Sequence, residues 1–200
     1  MTNFLKNILL FITILILLGG GAFAYIQFNN YSPASIITST ALQNSTNQAA
    51  GPGLPVRLSI PSINVDAQII YVGLTADGAV ATPDGPYQVA WYKLGPRPGD
   101  QGSAVLTGHY GPWKTGAKSV FDNLHTLKTG DKVYITDDDG KQLTFVVRES
   151  RVYNPDETVA EVFNKTDGKH LNLITCSGDW LKDQQTYNQR LVVFTDELVE

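Results

Sequence analysis

From Asn7 to Val56 the chain carries no Asp, Glu, Lys or Arg. A stretch of that length without charge cannot supply the solvated exterior of a globular domain, so the folded part is expected downstream. Within it, Ile8–Phe28 is a 21-residue apolar run behind a single charge, Lys6. As a helix it would span about 31 Å, enough to cross a bilayer. It is apolar on every side, and Lys6 would stay on the cytoplasmic side. This predicts an N-terminal transmembrane helix within residues 1–28, with everything after it extracytoplasmic. The alternative is a cleaved signal peptide. Ile8–Leu18 would be its apolar core, Gly19-Gly20-Gly21 the helix breaker and Ala22-Phe23-Ala24 the cleavage site, which would leave a secreted protein. Tyr25, Ile26 and Phe28 continue the apolar run and favour the anchor. Residues 29–53, rich in Asn, Ser, Thr, Gln and Ala, read as a flexible polar linker.

The folded domain is expected over residues 54–200, enough chain to bury a core. Its pattern is β. Apolar stretches at 57–60, 66–72, 88–92, 103–106, 132–136, 143–147, 171–175 and 191–194 are separated by turn residues. Asp138-Asp139-Gly140 is a hairpin signal between two of them. The whole chain has 18 Gly and 10 Pro, which suits a loop-rich β protein. Short, regularly punctuated strands of this kind predict a barrel or sandwich. Helix is sparse. Val120, Phe121, Leu124 and Leu127 have the spacing of a short helix covering one barrel end, and Val159–Phe163 could form another turn. A net charge of −4 gives no basic surface for nucleic acid.

Chemistry is concentrated in few residues. Cys176 is the only cysteine, so no intramolecular disulfide can form. Alone, such a residue is more often core than nucleophile. In an exported chain, however, a free thiol meets an oxidising compartment and needs a reason to persist. Cys176 ends an apolar strand and is followed by Ser177-Gly178-Asp179, which suggests a rim position. His109 follows the apolar strand ending at Thr107-Gly108, and Arg190 precedes Leu191–Phe194. Singly these would be structural or surface groups. Together they supply a thiol, a base to take its proton and a permanent cation for an oxyanion. His125 and His170 read as solvated surface. Asp137, Asp138 and Asp139 read as a solvated turn, because Gly140 comes too early for a calcium loop. There is no zinc-type cluster and no phosphate loop, so neither a metal nor another cofactor is expected.

At these residues the sequence resembles the sortases. That signature has a His after one strand, a T-L-x-T-C run later and an Arg on the strand after it. Thr107-Gly108-His109, Leu173-Ile174-Thr175-Cys176 and Arg190 match in that order, while Asn172 stands where the run begins with Thr. The resemblance continues through Pro55–Pro61, Val65-Asp66-Ala67, Val72-Gly73-Leu74, Trp91-Tyr92, Gly95–Gly99 and Gly102–Leu106, and is greatest to class F, with classes D and E as alternatives. It implies an eight-stranded sortase-type β-barrel with the site at one end. It implies cleavage of an LPXTG-like sorting signal between Thr and Gly through a thioacyl enzyme. The acyl group would pass to an amine, either a cell-wall precursor or a pilin lysine. By position, Cys176 would be the nucleophile, His109 the general acid/base, Arg190 the oxyanion and substrate stabiliser, and Thr175 a substrate-binding residue. In the family, Cys and His often rest as a neutral pair until a proton passes between them. Two other readings differ in kind. L,D-transpeptidases keep His and Cys in one short run, whereas here the two are far apart. A tethered binding domain without chemistry would leave Cys176 buried and inert.

Overall fold

The eight apolar stretches become eight strands of a single closed sheet. The computed structural model describes residues 51–199 apart from 115 and 158. The strands are β1 (Pro55–Ile60), β2 (Val65–Val72), β3 (Val89–Tyr92), β4 (Gly102–Gly108), β5 (Lys132–Asp137), β6 (Gln142–Tyr153), β7 (Lys169–Leu181) and β8 (Thr186–Glu197). Their order around the barrel is β1-β2-β3-β4-β7-β8-β6-β5. The β2/β3 and β4/β7 pairs are parallel and the other neighbours antiparallel. Closure leaves no unpaired edge. The predicted segment 1–28 and the greater part of 29–53 lie outside the described residues. Among the described residues no helix is long and apolar enough to cross a membrane.

Alternation sorts each strand into two faces. Leu58 and Ile60 of β1, Val133 and Ile135 of β5, and Phe145 and Val147 of β6 point into the barrel with Leu171, Leu173 and Val193. Phe121, Leu124 and Leu127 join the same core. The helix predicted there is only a 3-10 turn, Leu124–Thr126. The apolar spacing of three explains this: it stacks Phe121, Leu124 and Leu127 on one side of a three-residue repeat and needs no α-helix. The second predicted turn forms as α1 (Ala160–Asn164). It packs on the outside of the barrel, where Val162 joins Val105, Val192 and Phe194 in a smaller apolar cluster.

The barrel end that holds the β5–β6 turn differs from the sequence reading in two respects. Asp138 and Asp139 are exposed, but Asp137 is buried. Its carboxylate accepts hydrogen bonds from the backbone N–H groups of Gly53, Asp139 and Lys141, so it staples the incoming chain to the turn. His170 is also buried, with ring nitrogens 2.7 Å from Asp196 and 2.8 Å from Asp167. β7 begins at Lys169, so His170 lies on a paired strand, and its ring is satisfied by neighbouring carboxylates rather than by water.

Candidate active site

The site is built on the outer wall of the barrel by strand parity. On the paired strands β7 and β8, Leu173 lies opposite Val193 and Thr175 opposite Leu191, and these face the core. The alternate pairs, Ile174 with Val192 and Cys176 with Arg190, therefore face outward. β4 runs parallel to β7 with Thr107 opposite Ile174, so His109 leaves β4 next to Cys176. Thr175, buried on the inner face, donates its hydroxyl to the Gly108 carbonyl at 2.8 Å. That bond fixes the end of β4, and with it His109, against the strand that carries the cysteine.

Cys176 does not end its strand, as the loss of apolar residues after it had suggested. β7 runs on to Leu181 and pairs with the start of β8, with a register shift between Ser177 and Trp180. The hydrophobic pattern stops because this part of the hairpin has no core beneath it, while the backbone ladder continues. Bulges are common beside active sites, where they re-aim the strand.

His109, Cys176 and Arg190 line one cavity of about 270 Å³. Its apolar walls come from Val80 in the β2–β3 connection, from Val162 and Phe163 on α1, and from Ile174 and Val192 on the barrel wall. Thr175 also lines it. Asn172 is fully buried and donates to the Val162 carbonyl at 2.7 Å, so the residue that departs from the T-L-x-T-C run pins α1 over the cavity.

Electrostatics distinguish the three groups. Burial pushes the half-buried Cys176 thiol above the ordinary thiol range, and the Arg190 charge pulls it back in part. Among the described residues no hydrogen bond joins Cys176 to His109. The His109 Nε2 instead sits 2.7 Å from the Pro83 carbonyl, and the ring packs on Trp113 with centroids 4.7 Å apart. A carbonyl can only accept, so Nε2 carries a proton and Nδ1 is the nitrogen free to exchange one. Arg190 donates to the carbonyls of Tyr187 and Gln189 and to the Thr186 hydroxyl. These partners are neutral. They hold the guanidinium still and leave its charge available to an anion. Among the described residues no three His, Cys, Asp or Glu side chains are grouped to hold a metal ion. A thiol, an imidazole with one free nitrogen and a fixed cation around an apolar cleft can carry out acyl transfer.

The supporting groups were not legible beforehand. Pro83 acts through its backbone, and Thr107 holds the same connection by donating to the Ala81 carbonyl at 3.1 Å. The Pro and Gly of Thr82-Pro83-Asp84-Gly85-Pro86 mark a loop and carry no sign of a contact to His109.

The model of the sortase domain matches residues 58–198. The chain belongs to the sortase family, the cysteine transpeptidases that act on surface-protein substrates and amine acceptors. Among solved structures it is similar to sortase C-1 from Actinomyces oris, with 27% identity, a TM-score of 0.58 and 72% of each chain covered. A Clostridium perfringens sortase D5 transpeptidase matches at 21% identity and a TM-score of 0.55, over 74% of this chain and 79% of that one. Sortase A from Corynebacterium diphtheriae matches at 23% and 0.59, over 76% of this chain and 64% of that one. The last two are likenesses of fold. Among curated protein sequences none matches the chain.

Proposed function

We propose that this sortase is of class F, that residues 1–28 anchor it in the membrane and 29–53 hold domain 54–200 off the outer surface, and that it acts on an LPXTG-like signal. The class rests on the resemblance over Pro55–Leu106. The chemistry rests on one observation, the shared cavity of Cys176, His109 and Arg190. The cleft takes the apolar part of the signal and leaves the Thr carbonyl beside Cys176. The thiol proton passes to His109 Nδ1 as Sγ bonds to the carbonyl carbon. Arg190 stabilises the oxyanion that develops. Collapse breaks the Thr–Gly C–N bond, and the leaving amine takes the proton from Nδ1. A thioester remains on Cys176. An incoming amine, from a cell-wall precursor or a pilin lysine, attacks the same carbonyl, gives its proton to Nδ1 and returns the thiol. Thr175, whose hydroxyl is held by the Gly108 carbonyl, borders the cleft beside Cys176.

The test is incubation of the protein with an LPXTG peptide and a glycine-based amine, with products read by mass. The expected products are the Gly-terminated leaving peptide and a new amide at Thr, and Cys176→Ala should give neither. Equal turnover by Cys176→Ala would refute the mechanism.

A further inference from the structure

His109 follows β4 and Arg190 stands on β8, two strands that are not neighbours, because β7 lies between them. Something must keep them in step. The segment after β4 turns at Gly111, two residues beyond His109, with φ of +84°. Each side of that glycine is held. Its N–H donates to Asp122 Oδ1 at 2.8 Å, and its carbonyl accepts from the Ser119 hydroxyl at 2.6 Å. Asp122 Oδ2 also accepts from the Ser119 N–H, and the Phe121 N–H donates to the His109 carbonyl at 3.0 Å. The loop carrying His109 is thus laced to 119–122.

The third side of Gly111 faces β8. A Cβ on Gly111 would overlap the Tyr187 hydroxyl, so the phenol lies directly against the glycine backbone. The Tyr187 ring is wedged between Tyr110 and Trp180, with centroids 5.2 Å and 5.1 Å away. The same residue's carbonyl takes a hydrogen bond from Arg190 Nη1 at 2.9 Å. Burial, with Tyr110, Cys176 and Asp122 nearby, raises the phenol above its ordinary range, as expected for a ring packed in beside the site.

We propose that Tyr187 and Asp122 are positioning residues that act on His109 through Gly111, and that the Tyr187–Gly111 contact couples the His109 loop to the Arg190 strand across Cys176. This rests on the roles given to His109 and Arg190 above. The hydroxyl makes the nearest approach and the ring carbon that bears it the next, while Tyr110 and Trp180 hold the ring in place. Gly111 is required both by its φ and by the space that Tyr187 fills.

The test uses the full chain with Tyr187→Phe, Tyr187→Ala, Gly111→Ala, the Tyr187→Ala/Gly111→Ala double variant and Asp122→Ala. Turnover is measured with an LPXTG peptide and a glycine-based amine. Tyr187→Ala, Gly111→Ala and Asp122→Ala should each lower kcat by about tenfold to a hundredfold, with KM within about threefold of the parent. Tyr187→Phe removes the hydroxyl but keeps the wedged ring beside Gly111, and should lose less than Tyr187→Ala, about threefold to tenfold in kcat. The double variant should be no more than about threefold worse than its worse parent, because both changes break one contact. In parallel, the His109 ring 1H–15N signals, assigned with His109→Gln, should move in Tyr187→Ala and move less in Tyr187→Phe. That readout does not depend on turnover, so failure of the proposed reaction and failure of this coupling are distinguishable. Unmoved ring signals, losses that multiply in the double variant or a change confined to KM would each overturn the proposal.

Discussion

Two opposed effects meet at Cys176: burial disfavours the thiolate, and the Arg190 charge favours it. Burial is the larger, so near neutral pH the cysteine is a thiol whose proton must be removed during reaction. In the proposed reaction His109 Nδ1 removes it, since Pro83 occupies the other nitrogen. This has a measurable consequence in pH. Alkylation by iodoacetamide follows the thiolate, so the rate should still be rising above pH of about 8.5, where an ordinary thiol is half ionised. Arg190→Ala removes the only effect that lowers the thiol, and the midpoint should move to still higher pH. Arg190→Lys retains the charge and should leave it close to the parent. It loses the planar fork, and kcat should fall by about 10²–10³. A midpoint that stays or falls in Arg190→Ala would contradict this account of the site.

Among the elements, the pairing of β4 with β7 matters most, because it carries His109 to Cys176. One buried bond, Thr175 to the Gly108 carbonyl, fastens that pairing at its functional end. Thr175→Val keeps the shape and leaves the carbonyl unpaired, which should cost about 1–3 kcal/mol in denaturant unfolding. Turnover should fall with it, because the end of β4 is freed. An unchanged midpoint together with full activity would show that the bond contributes neither. Strand positions were legible in the sequence as apolar stretches between turn residues, alternating where one face is buried, as in β1 and β5, and continuous where both are, as in β4. Strand lengths were not. β6, β7 and β8 extend well past their apolar stretches because their outer portions pair without a core beneath them. The 121–127 segment misled for a related reason, since a spacing of three serves a 3-10 turn as well as a helix.

In the whole molecule, the two barrel ends do different work. At one, Asp137 captures the entering chain and His170 sits between carboxylates. At the other, Gly108, Cys176, Arg190 and Tyr153 are brought together, Tyr153 being opposite Arg190 on β6. The triad was legible as residue types in a known order. Its supports were not, because Pro83 acts through a carbonyl, Gly111 through its lack of a side chain and Asn172 through a contact to α1 that no spacing encodes. The central claim is that Cys176 carries the acyl group, and intact-mass analysis after exposure to a substrate analogue with a thiol-reactive group at the Thr position tests it most directly. The prediction is a single adduct that maps to Cys176 and is absent in Cys176→Ala. A folded, reduced protein that forms no adduct, or forms it elsewhere, would contradict the assignment.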